Sequence, residues 1–123
     1  MKQLLIALII ILFTVPPMAM AKRLHHEKYY QNIWCKEQGG QVEVRLPDKT
    51  RCDCLTPNLA VEVDFGNKWY EALGQSLYYS FQTGKAPGIL LILEKESDYK
   101  YWLRLNSTIK HFDLPIKTFK IAP

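Results

Sequence analysis

TRCDCLTPNLAVEVDF, residues Thr50 to Phe65, reads as two strands joined by a turn, and this reading decides the fold. Val61, Val63 and Phe65 alternate with Ala60, Glu62 and Asp64, the period of a strand with one apolar face. Thr50 to Leu55 is the strand before it, and Thr56-Pro57-Asn58 makes the turn. Pairing Leu55 with Ala60 sets Asp53 across from Glu62, with Asp64 about 6 to 7 Å further along the same face. Three carboxylates on one patch coexist only if solvated, partly protonated or neutralised by a cation. Oxygen-only donors suit Mg²⁺, or Mn²⁺ in its place. The competing reading is a sheet face that simply meets solvent, where acids are ordinary.

Upstream, Gln41 to Leu46 alternates Val42, Val44 and Leu46 with polar residues, which makes a strand that Pro47-Asp48 then turns. Leu24 to Gln38 carries Tyr30, Ile33 and Trp34 at helical spacing and ends at Gly39-Gly40. Downstream, Lys68 to Thr83 returns to helical period, with Trp69, Leu73, Leu77 and Phe81 as the buried stripe and Gly84 as terminator. Beside that stripe runs a polar one, Lys68, Glu71, Gln75, Tyr79 and Gln82. Because this helix starts three residues after the acidic strand, Lys68 and the positive end of the helix dipole are expected near the carboxylates. Gly88 to Leu93 is uninterrupted apolar sequence, expected as a central strand covered on both faces. Tyr99 to Leu105 reads as one more strand, and Asn106-Ser107-Thr108 as the cap of a short helix or turn through His111 ahead of a tail. The fold class expected is α/β, an α+β mixed sheet with packed helices.

At the N-terminus, Lys2, the apolar run Leu4 to Val15, Pro16-Pro17 and Ala19-Met20-Ala21 follow the order of a secretory signal cleaved before Lys22. The apolar run is nearer a dozen residues than the roughly 20 a spanning helix needs. Removing residues 1–21 from 123 leaves 102, room for a single domain at 22–123. With Lys2 gone, the 16 basic residues become 15 against 12 acidic, a mildly basic chain that permits an anionic partner without requiring one. An exported chain meets an oxidising compartment, so Cys35 is expected to pair with Cys52 or Cys54, which share a strand face and are poor partners for each other. A zinc site combining these cysteines with His25 or His26 is the lesser alternative, since C-x-C lacks the usual spacer.

Taken together, these residues resemble the PD-(D/E)xK nuclease superfamily, whose restriction-endonuclease-like core runs αβββαβ. Here an extra strand and a short C-terminal tail would follow that core. Asp53 falls at the family's second-strand Asp, Glu62-Val63-Asp64 on its (D/E)-x-K strand, and Gln75-Ser-Leu-Tyr-Tyr79 on the Q-x-x-x-Y helix motif of its RecB-like branch. The resemblance implies that Asp53, Glu62 and Asp64, with Glu27 of the first helix, bind Mg²⁺ or Mn²⁺, and that Gln75 and Tyr79 contact substrate or order the site. Asp64 stands where the family has lysine, and Lys68, four residues on, is the candidate replacement. The implied activity is metal-dependent hydrolysis of DNA or RNA phosphodiesters in the periplasm or outside the cell, without stable membrane association once the signal is removed.

Lys49, Arg51, Lys85 and the basic tail could meet phosphates, though such residues are commonly solvated surface charges. Tyr29, Tyr30, Trp34, Trp69, Tyr78, Tyr101 and Trp102 invite a base-stacking reading but fit core positions better. His25, His26 and His111 lack ligand-spaced partners and read as structural or solvent-facing, the first two on a frayed N-terminus. Two competing functions remain: a nuclease-like domain that has lost catalysis and serves in binding, and an unrelated secreted α/β domain with a wet acidic face.

Overall fold

A computed structural model describes residues 22–123; the expected signal at 1–21 lies outside the described residues. Helix α1 spans Glu27–Glu37, followed by strands β1 Gln41–Arg45, β2 Arg51–Leu55 and β3 Leu59–Phe65. A 3-10 turn at Gly66–Lys68 leads into helix α2, Trp69–Thr83, and strand β4, Ala86–Ile92. Helix α3, Tyr99–His111, and strand β5, Lys117–Ile121, complete the order. The sheet is mixed and runs β1-β2-β3-β4-β5, antiparallel across the first three strands and parallel from β3 to β5. Gly84 closes α2 with φ 70, the left-handed cap its lack of a Cβ permits.

The even and odd positions of β3 and β4 go to different layers. Val61, Val63, Phe65, Leu90 and Ile92 pack under α1 with Tyr30, Trp34 and Cys35. Ile89, Leu91 and Leu93 pack on the other side with Trp69 and Ala72 of α2 and Leu105 of α3. β4 is thus covered on both faces, as its unbroken apolar run requires.

Three expectations are corrected. Tyr99 to Leu105 is not a strand but the first half of α3. Its buried contacts fall at Tyr101, Trp102, Leu105 and Ile109, a helical period masked in the sequence by β-favouring aromatics. β4 and β5 are parallel, so the chain between them must cross over, and a hairpin strand there is excluded. Asn106-Ser107-Thr108 consequently caps nothing: Asn106 and Thr108 bond the carbonyls of Trp102 and Arg104 inside α3. The extra strand exists, but it is β5, formed by the tail.

The third correction concerns α2. Its buried residues are Trp69, Ala72, Ser76 and Tyr79, while Leu77 is 37% and Phe81 80% exposed. The C-terminal half of the helix therefore turns part of its expected polar stripe inward. Tyr79 is held there by Leu46, Cys52 and Ala60.

Cys35 pairs with Cys54, with 5.7 Å between their Cα atoms, which fastens α1 to β2. Gly40 lies against this bridge, and a Cβ there would sit 2.8 Å from both sulfurs. Cys52 is free and buried, its thiol pushed up to about 11 chiefly by burial, which leaves it inert at neutral pH. It shares a buried position in β2 with Cys54 but packs in another cluster, with Leu46, Ala60 and Tyr79. With Cys35 and Cys54 bonded, the zinc alternative has lost two of its ligands. Replacing Cys35 and Cys54 together by Ala is expected to lower unfolding free energy by about 2–4 kcal/mol, because the bridge closes a loop of 19 residues. Urea unfolding monitored by tryptophan fluorescence checks this; an unchanged midpoint would show that the bridge is not closed in solution.

Candidate functional site

β2 and β3 pair at Cys54↔Val61 and Leu55↔Ala60, the register expected from the turn. One step further the strands part. The amide of Val63 donates not to a β2 carbonyl but to Asp53 Oδ2, at 2.8 Å. The Asp53 carboxylate thus wedges between the strands, and Glu62 and Asp64, both 4% exposed, flank it. Glu27, on the first turn of α1, reaches the same place from the other layer, close enough to Asp64 and Asp53 to feel their charges. The opening between β2 and β3 lets acids from opposite sides of a sheet meet.

The protonation pattern follows from this crowding. Burial first, then the charges of Asp53 and Asp64, push the Glu62 carboxyl far above the carboxylate range. Glu62 therefore keeps its proton and donates it, which favours the ionised form of its two acceptors. Burial still raises Asp64 to about 6 despite the Glu62 bond and the nearby charge of Lys68. Glu27 rises to about 7, through burial and then the charges of Asp64 and Asp53. Asp53 is likewise raised, by burial above all, with the Val63 amide pulling the other way. Proton sharing thus lessens the repulsion among the four carboxyl groups.

Shared protons do not satisfy every oxygen. Glu62 Oε2, Asp64 Oδ2 and Gln31 Oε1 are buried with no hydrogen-bond partner among the described residues. Unpartnered buried acceptors carry a desolvation cost of about 1–3 kcal/mol each, more when charged. A hard cation would relieve that cost, and the donors are all oxygen, which fits Mg²⁺ in kind. The side chains are nevertheless turned toward one another: among the described residues, no three His, Cys, Asp or Glu are arranged to hold an ion. A cation could load here only if the acids gave up bound protons and the carboxylates turned.

Lys68 is exposed at the start of α2, and its charge acts on Asp64 and Glu27, although no ion pair joins them. Tyr79 is buried, its hydroxyl held protonated first by burial and then by the charges of Glu62 and Asp53. Gln75, its partner in the helix motif, is exposed and makes no hydrogen bond among the described residues. Lys85 is spent on the Thr56 carbonyl at 2.7 Å. Of the aromatics, Tyr30, Trp34 and Trp69 are core, while Tyr29 and Tyr78 are 48% and 40% exposed.

Two residues were missed. Gln31 is fully buried one turn after Glu27 and bonds Glu43 at 3.1 Å. Glu43 in turn adds negative charge at Asp53. The i, i+4 spacing from Glu27 was a readable signal for Gln31. Nothing in the alternation of β1 marked Glu43, whose φ of 51 interrupts the strand.

No family model, curated protein or solved structure matches this chain.

Proposed function

We propose that this chain is an exported, Mg²⁺-dependent nuclease that hydrolyses phosphodiester bonds of DNA or RNA. The observation that carries the reading is the convergence of Glu27, Asp53, Glu62 and Asp64 at the parting of β2 and β3, with buried carboxylate oxygens left unpartnered. The order α1, β1, β2, β3, α2, β4 follows the αβββαβ core of the PD-(D/E)xK nucleases. A disulfide on a chain whose N-terminal sequence reads as a secretory leader fits work outside the cytoplasm.

Asp53, Glu62 and Asp64, assisted by Glu27, would hold the ion. When bound, Mg²⁺ supplies a water of lowered pKa and polarises a phosphoryl oxygen. Glu62 and Glu27 would release their protons to become ligands. Lys68, whose charge reaches these acids, would steady negative charge developing on the phosphate. Tyr79 buttresses the buried side of the cluster, and the wedge of Asp53 keeps the strands apart. Exposed Gln75 is assigned to substrate contact.

A second reading is favoured by one feature, Asp64 at the lysine position. In it the domain binds metal or nucleic acid without cutting. The test is protein from the full chain, incubated with supercoiled plasmid and with RNA in Mg²⁺ or in EDTA, beside Asp53→Ala and Glu62→Ala. Cutting in Mg²⁺ alone, abolished by either substitution, is expected. Cutting that survives both belongs to a contaminant and removes the proposal, and metal binding without any cutting establishes the second reading.

A further inference from the structure

The N-terminal segment is not frayed, and its anchoring builds a second surface. Glu94, just past β4, accepts the backbone amides of Leu24 and His25 at 2.9 and 3.3 Å and the Tyr30 hydroxyl at 2.7 Å. Arg23 lies over the Phe65 ring at 3.8 Å and donates to Asn67 at 2.7 Å. Between this tethered segment and α1 lies a cavity of about 660 Å³, walled by Lys22, His25, His26, Lys28, Tyr29 and Asn32 among others. Among the described residues no carboxylate lines it. Its cations are free of ion pairs among the described residues, except Arg23, which faces Glu94 at 3.7 Å. Exposed Tyr29 stacks on His25 with ring centroids 3.8 Å apart.

This groove adjoins the acid cluster twice. Glu27, between His26 and Lys28 in the chain, turns to Asp64. Arg23 grips Asn67, the neighbour of Lys68. We infer that the groove binds a single nucleic-acid strand leading to the acid cluster, with Lys22 and Lys28 on phosphates and the His25–Tyr29 pair stacked on a base. Cations along a track, with an exposed aromatic step between them, suit an unpaired strand, whose bases are free to stack. A duplex keeps its base faces stacked inside, away from the aromatic pair. The inference rests on the nuclease reading for its direction, since it names the form of substrate delivered to that site.

The experiment measures fluorescence anisotropy of a labelled, mixed-sequence DNA single strand, its duplex, and a sulfated polysaccharide, with protein from the full chain in EDTA. Tyr29→Ala is expected to weaken single-strand binding by about tenfold or more. Lys28→Gln should weaken it and lower the salt slope by about 0.7, one phosphate contact. Lys28 is exposed, so its replacement leaves the fold in place, and the melting temperature verifies this. Wild-type affinity in both variants overturns the inference. Equal affinity for the duplex overturns the single-strand assignment, and equal affinity for the polysaccharide overturns nucleic acid as the ligand. Binding in EDTA is independent of cutting, so loss of affinity in the variants beside a wild type inactive in Mg²⁺ would retain the groove and remove the nuclease.

Discussion

Glu62→Gln is expected to raise the melting temperature of the metal-free protein at pH 7 while abolishing both its response to Mg²⁺ and any metal-dependent cutting. In the fold Glu62 keeps a proton that an unfolded glutamic acid, with its ordinary value of 4.5, has lost by pH 7. Holding that proton costs on the order of 3 kcal/mol at pH 7. An amide of the same shape carries no such cost, and its N–H₂ still donates to Asp53 or Asp64. For a domain of this size the gain amounts to about 10 °C or more. The same change removes an anionic ligand, so saturating Mg²⁺, which would stabilise the wild type by about 2–3 kcal/mol at a hundredfold over its dissociation constant, should leave the variant unmoved. Thermal melts of both proteins in EDTA and in Mg²⁺ decide the matter. A variant that melts lower than wild type in EDTA would mean that Glu62 is not the buried proton carrier.

The stability of the metal-free protein is expected to fall as pH rises from about 4.5 to 7. Glu27 titrates near 7 instead of 4.5, and Asp64 near 6 instead of 3.8. A carboxyl with a raised folded value binds its proton more tightly when folded. Its contribution is therefore complete below the unfolded value and vanishes as pH climbs through the folded one. Taken alone, each group accounts for at most about 2–3 kcal/mol over that span, Glu27 for less because it is partly exposed and screened, and the pair for less than the sum because their protons are shared. Glu94 acts in the opposite sense. Burial opposes its charge, but bonds from Tyr30, His25 and Leu24 and the charge of Arg23 outweigh that and hold it below 4.5, so its contribution disappears only as pH falls further. In EDTA the maximum should lie near pH 4 to 5. Mg²⁺ should raise stability more at pH 8 than at pH 5, because it replaces the protons that acid supplies. Urea midpoints across this range, with and without Mg²⁺, provide the check, and a midpoint in EDTA that rises between pH 5 and 7 would refute the account.

The two effects share a cause, the burial of acids whose charges are not otherwise compensated. That is an unfavourable arrangement for a scaffold alone. It becomes intelligible if the stabilising partner is a cation, and it explains why protonation holds the cluster together without one.

How much of this could be read beforehand depends on the range of the forces involved. Alternation along Ala60 to Phe65 and the short turn at Thr56-Pro57-Asn58 determined β2, β3 and their register next to the turn, because strand period and turn length are local properties. The helical spacing of Tyr30 and Trp34, the Gly84 stop and the apolar run into Leu93 likewise determined α1, α2 and a central strand. Only the assembled fold decided that Tyr99 to Leu105 is helix, since the choice turns on β4 and β5 being parallel. Only packing decided which face of α2 is buried, because apolar stripes at neighbouring phases compete and the sheet selects between them. The parting of β2 from β3, the entry of Glu27 and Gln31, and the anchoring of the N-terminus on Glu94 join residues distant in sequence. No local period encodes such meetings, because they follow from burial and charge in three dimensions.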